Sequence, residues 1–123
     1  THKELSIIGD QFGGPTYAGD IANTLIAIVE KLNASPVVKS GIYHYSGLPH
    51  VNWFEFADKI FDSAIQSQIL VTKPKLNNIS TEQYPTPAKR PENSKLDCNK
   101  IKVDFSIKQS QWQDALKNIR EYI

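Results

Sequence analysis

The sequence predicts an α/β domain made of several helices and a few short strands. Three observations carry that prediction. Two apolar series at three- and four-residue spacing, over residues 17–32 and 53–65, have the period of amphipathic helices. A short β-type run precedes each of them, so strand alternates with helix in the first half, which is the pattern of α/β architecture. The chain is 123 residues long, one domain's worth. The strands are few and short for a complete α/β domain, and one physical explanation is that the chain is a piece of something larger.

Residues 4–8 read as the first strand, and Gly9-Asp10-Gln11-Phe12-Gly13-Gly14-Pro15-Thr16 as a tight loop. Gly13 and Gly14 allow positive φ, Pro15 stiffens the exit, and Thr16 is placed to cap the next helix. That helix is expected over residues 17–32, its stripe of Ile21, Ala22, Leu25, Ile26, Ile28, Val29 and Leu32 broad enough to be mostly buried. Residues 33–40, with Pro36, form a connection. Residues 41–47 look like a strand ending in a turn at Gly47-Leu48-Pro49. Asn52 then opens a helix, with Glu55 three residues on completing a capping box. Residues 69–72 are expected as a short strand, residues 73–79 as a polar connection, and residues 80–84 as one helical turn. Asp97 suits the N-cap of a short helix through Ile101 and Val103. Ser110 and Gln113 fit a capping box for a last helix that carries Trp112, Ala115, Leu116, Ile119 and Ile123.

Composition excludes several function classes. The hydrophobic and charged fractions, 40% and 22%, are those of an ordinary globular protein, and a net charge of +1 gives no case for nucleic acid or an anionic membrane as partner. No apolar run is long enough to span a bilayer. The one cysteine, Cys98, has no internal disulfide partner, which fits a reducing compartment, and the cytoplasm is the default. Cys98 reads as a buried, inert thiol. His2, His44 and His50 share no ligand spacing with each other or with a carboxylate pair, so no metal site is expected. The glycines of residues 9–14 match neither the dinucleotide fingerprint nor the P-loop. No tyrosine has a lysine four positions later, so the phenol-ammonium pair of a short-chain reductase is missing. Trp53, Phe54, Phe56 and Phe61 fall on a helix and read as core packing rather than as a base-stacking platform.

Residues 84–97, Tyr-Pro-Thr-Pro-Ala-Lys-Arg-Pro-Glu-Asn-Ser-Lys-Leu-Asp, are the most distinctive stretch. They hold Pro85, Pro87 and Pro91, which fix φ and push the residue before each of them out of the helical region. A stiff non-helical arm results, carrying Lys89 and Arg90 side by side. An arginine fork suits phosphate oxygens and a lysine adds a point charge, so such an arm could clamp a diphosphate. Exposed Lys-Arg pairs are common, and spacing alone favours an ordered surface loop with solvated charges.

Three motifs in order alter that balance. Residues 10–16, residues 41–47 leading into Trp53-Phe54-Glu55-Phe56-Ala57, and residues 84–97 together closely resemble the C-terminal part of the dTDP-4-dehydrorhamnose reductases, a family of extended short-chain dehydrogenases/reductases. The resemblance covers nearly all of the chain and somewhat less than half of such an enzyme. It implies the substrate-binding portion of an NADPH- or NADH-dependent reductase, with the Rossmann domain and the Tyr/Lys pair outside this chain, so that no catalytic or cofactor-binding residue is expected here. It implies a dTDP-sugar substrate, with Arg90 reaching the diphosphate, Lys89 and Asn93 supporting it, and the loop from Gln11 to Thr16 lining the same cleft. Asp20 and Trp53 are expected to be structural. The Gly41 strand would join the Rossmann sheet, and its open edge in isolation would invite self-association. Some members of the family dimerise, in certain cases with a divalent ion. No acidic residue here matches that role, and a homodimer stands as a partner expectation. The competing readings are a non-catalytic nucleotide-sugar-binding or regulatory module and a related epimerase or dehydratase.

Overall fold

A computed structural model describes residues 3–35, 37 and 40–122; His2, Pro36 and Ile123, which figure in the expectations above, lie outside them. Strand β1 (Glu4–Ile8) pairs in parallel with β5 (Lys75–Ile79), Glu4 opposite Lys75 and Ile8 opposite Ile79. Lys75 Nζ lies 2.9 Å from Glu4 Oε1 across that pair. The connection between them carries helices α1 (Ala18–Ala34) and α2 (Trp53–Gln66). Two further pairs are only two residues long. Strand β2 (Phe12–Gly13) runs antiparallel to β4 (Val51–Asn52), and β3 (Gly47–Leu48) runs parallel to β6 (Ser110–Gln111). Short helices α3 (Asn99–Phe105) and α4 (Trp112–Leu116) complete the chain, with 3-10 turns at Thr81–Gln83 and Ile119–Tyr122.

Helix α2 begins as its sequence dictates. Asn52 Oδ1 accepts from the Glu55 amide at 2.7 Å, and Glu55 Oε2 accepts from the Asn52 amide at 3.1 Å. The helix packs on β1, β5 and α4. The other cluster of buried residues is Cys98, Ile101, Phe105 and Ile107, and Ala27, Ile28, Leu32, Tyr43 and Tyr45 lean on it. Cys98 is a free, buried thiol.

Several local expectations are overturned, each for a physical reason. Residues 41–46 form no strand among the described residues. Their inside-outside alternation is present, with Tyr43 and Tyr45 half-buried and Ile42 and His44 exposed, but no neighbouring backbone supplies a ladder. Residues 69–72 are also irregular, because the Ile69 and Leu70 amides both bond to the Ala64 carbonyl and close the end of α2. The strand lies further on, in the polar Lys75–Ile79, where pairing with β1 overrides weak intrinsic propensity.

Three caps move as well. Thr16 does not cap α1; the N-cap is Tyr17, without a side-chain bond. Ser110 does not cap α4. It lies in β6, one residue before the N-cap Gln111, and its hydroxyl donates to Asp20 Oδ2 at 2.6 Å in a charge-assisted bond. Asp97 Oδ1 accepts from the Asn99 amide at 2.8 Å, but the N-cap of α3 is Cys98. The apolar stripe of α1 is not mostly buried either. Ile21, Leu25, Ile26 and Val29 are 41–60% exposed, since α3 covers only the opposite face.

Candidate functional site

The loop after β1 is held from both sides. Asp10 reaches across to the 3-10 turn: its carboxylate accepts from the Thr81 amide at 2.9 Å and from the Thr81 hydroxyl at 2.6 Å. These bonds favour the ionised form and hold the Asp10 carboxyl below the ordinary aspartate range. Buried Gln11 completes the network, its Nε2 donating to Thr81 Oγ1 at 3.0 Å. At its other end the loop crosses β3. The Gly47 amide donates to Thr16 Oγ1 at 2.9 Å, and the Thr16 hydroxyl donates to the Gly14 carbonyl at 2.9 Å. The two backbones approach so closely that a Cβ on Gly14 would lie 2.3 Å from the Gly47 oxygen. Glycine is required there for close approach, not for the positive φ expected of a turn former, since neither Gly13 nor Gly14 has one.

The proline arm joins this loop directly. The Phe12 amide donates to the Glu92 carbonyl and the Ser94 amide to the Phe12 carbonyl, each at 2.8 Å, so that Phe12 and Asn93 form a parallel bridge. The Asn93 side chain turns back on the arm and accepts from the Lys95 amide at 3.0 Å. Because β2 also pairs with β4, Phe12 stands opposite Asn52, and Trp53 follows at the first residue of α2. Three segments far apart in sequence therefore meet at one place.

They enclose a cavity of about 410 Å³. Gln11, Phe12 and Gly13 come from the loop, Trp53 from α2, and Arg90, Pro91 and Ser94 from the arm. Arg90 and Gln11 thus share one cavity. Lys89 is exposed on the arm and, like Asn93, is not part of the lining; Thr16 lies behind the loop, beside Phe56 and Trp112. Trp53, read from the sequence as structural core, is 49% exposed and lines the cavity with Phe12, itself 37% exposed. Its place as the first helical residue, directly after an N-cap, was the available signal: side chains of the first turn have no preceding turn to cover them. Asp20 is structural, as the acceptor for Ser110.

One cation lines the cavity and a second, outside the lining, touches one of its rings. The first is Arg90; the second is Lys95, whose Nζ stands 5.1 Å from the Phe12 ring centroid. A cleft with a guanidinium and two partly exposed aromatic rings suits an anionic ligand that also carries a flat group. It holds no acid-base pair. The Tyr43 hydroxyl, which donates to Asp104 at 2.7 Å, is pushed above the ordinary phenol range by that bond and lies on the α3 side.

The profile of the RmlD substrate binding domain matches residues 1–122. The chain belongs to this family. An RmlD-type relative from Aggregatibacter actinomycetemcomitans, named dTDP-4-dehydrorhamnose reductase, is 53% identical over 118 residues, covering 96% of this chain and 40% of its own length. The crystal structure of a dTDP-4-dehydrorhamnose reductase from Clostridium acetobutylicum superposes with a TM-score of 0.81 at 26% identity, over 98% of this chain and 39% of that one. That of a dTDP-4-dehydrorhamnose reductase from Bacillus anthracis, in complex with NADP, gives 0.73 at 30% identity, over 98% and 38%. This RmlD-type chain therefore spans about 40% of the length of the relatives it matches. Among the described residues no helix is long and apolar enough to cross a membrane.

Proposed function

We propose that this chain is the substrate-binding part of a dTDP-4-dehydrorhamnose reductase. The whole protein reduces the 4-keto group of dTDP-4-dehydro-L-rhamnose, giving dTDP-L-rhamnose, with NADPH or NADH as hydride donor. The observation that carries this reading is the presence of Arg90 in the cavity formed by the loop after β1. A guanidinium there meets the diphosphate with paired donors, and the stiff backbone of the arm keeps it in place. Gln11 lines the cavity and is tied to the 3-10 turn through Thr81, Asn93 shapes the arm by accepting from the Lys95 amide, Thr16 pins the loop from behind, and Lys89 adds positive charge to the arm.

In this reading the nicotinamide cofactor is held by the part of the protein outside this chain. A cradle for a dinucleotide needs glycines whose open side faces the phosphates. Here a Cβ on Gly9 would meet the Asn78 side chain, and one on Gly14 the Gly47 backbone, so that of the loop's glycines Gly13 alone is open and the repeated open glycines of a dinucleotide cradle are not present in this loop. No step through the cofactor is derived from this chain. In this reading residues 1–123 are one domain. An N-terminal Rossmann domain supplies the cofactor site and the Tyr/Lys pair, the chain alone reduces nothing, and the enzyme works in the cytoplasm without nucleic acid or membrane as partner.

The test is Arg90→Ala in the intact protein. Loss of a charged hydrogen bond weakens dTDP-sugar binding by ~1.5–3 kcal/mol, about ten- to a hundredfold in Kd by calorimetry. A Kd equal to that of the wild type removes Arg90 from the site. NADPH and NADH oxidation by the intact protein with dTDP-4-dehydro-L-rhamnose tests the reaction itself.

A further inference from the structure

The geometry points to Trp53 as the stacking platform for the base of the nucleotide whose diphosphate Arg90 holds; this inference rests on the function proposed above. Trp53 is the largest side chain in the cavity and leaves about half its surface open, 49%, where Trp112, the other tryptophan, is 3% exposed in the core. An indole left open beside an arginine in a concave site is matched by a flat aromatic ring more readily than by water.

The ring is also held in place before any ligand arrives. Phe56, one turn along α2, meets it edge-on with centroids 6.2 Å apart, and Phe56 in turn packs edge-on against Trp112 at 5.1 Å. Asn52, just before Trp53, is fixed twice, by the capping box and by its pairing with Phe12. Phe12 also lines the cavity, and its ring is engaged by the Lys95 ammonium. Gly13, also in the lining, contributes no side chain, and the nearest atom to a Cβ built there is Ser94 Cβ at 3.8 Å. The cavity volume of about 410 Å³ is within the range of small-ligand sites. Arg90 comes from the arm and Trp53 from α2, so diphosphate and base are recognised by different segments. Base stacking is tolerant of base identity, so Trp53 supplies affinity for a nucleoside and leaves the choice of base to other groups.

The test uses the intact protein with three probes: dTDP, thymidine and inorganic pyrophosphate. Trp53→Leu is expected to weaken dTDP and thymidine about ten- to a hundredfold while pyrophosphate binds as before, and Trp53→Phe, which keeps a ring, is expected to fall between. Thymidine is expected to quench tryptophan emission in the wild type but not in Trp53→Phe. Wild-type dTDP affinity in Trp53→Leu, with Arg90→Ala still impaired, overturns the platform and leaves the proposed function standing. Wild-type affinity in both variants overturns both. Equal loss of dTDP and pyrophosphate in Trp53→Leu and Trp53→Phe makes Trp53 a support for the fold and likewise overturns the platform.

Discussion

Helices α1 and α2 carry apolar series of similar length, yet the fold treats them differently. On α2, Phe54, Phe56, Ala57, Ile60, Phe61 and Ile65 are at least partly buried, and Ala64 is buried, because β1 and β5 cover one flank and α4 another. On α1 only the side bearing Ala27, Ile28 and Leu32 finds a cover, in the Cys98–Ile107 cluster. Leu25, Ile26 and Val29 on the other side are 56–60% exposed. Both helices obey the same period, so the period reports where apolar residues lie and not whether anything lies against them. The candidate site stands on the α2 side, where loop, helix start and arm satisfy one another with bonds from within the chain.

The largest effect that would break this comparison is expected at the crossing that holds the site loop. Gly47→Ala places a Cβ 1.8 Å from the Pro15 carbonyl oxygen, and backbone has no rotamer with which to yield. The cost is expected to be about 3 kcal/mol or more, read by urea unfolding. A fall in stability below about 1 kcal/mol would mean that the crossing is looser than described.

A pair of neighbours on α1 sharpens the contrast at smaller scale. Ile28→Ala empties a position packed on the core cluster and is expected to cost about 2 kcal/mol, discounted because Ile28 is only partly buried. Val29→Ala, one residue on, faces outward and is expected to stay within about 0.5 kcal/mol. Equal losses for the two would show that the outer face of α1 is covered in the protein measured.

The smallest effect is electrostatic. The Asp10 carboxyl is held below its ordinary value of 3.8 by its bonds from Thr81. A folded value lower than the unfolded one adds stability that is whole above about pH 4 and drains away as pH falls through the folded value. The stability gap between wild type and Thr81→Val is therefore expected to be flat at neutral pH and to narrow in acid. An NMR titration of the Asp10 carboxyl is expected to give a midpoint below 3.8. A midpoint at or above that value would uncouple the loop from the 3-10 turn.

Local chemistry was legible where a residue acts on its own neighbours. The Asn52/Glu55 box, strand Glu4–Ile8 and the non-helical arm follow from backbone and side-chain rules spanning only a few positions. Ser110 and Thr16 were misread because their hydroxyls had two possible partners. Ser110 stands one residue before the N-cap and is bound to Asp20, and the Thr16 hydroxyl is taken up by the Gly14 and Gly47 backbone. Trp53 was misread because helical spacing groups it with core residues, while its position at the first turn leaves it open.

The sequence by itself determined the first strand, the helical periods of α1 and α2, the non-helical backbone of residues 84–97 and the family motifs they carry, since each depends on φ restrictions and periodicity along a few residues. Tertiary structure alone decided that Phe12, Trp53 and Arg90 line one cavity, that a polar segment becomes β5, and that half of α1 stays bare. Those outcomes depend on which surfaces meet across tens of residues, and spacing along the chain holds no record of that distance.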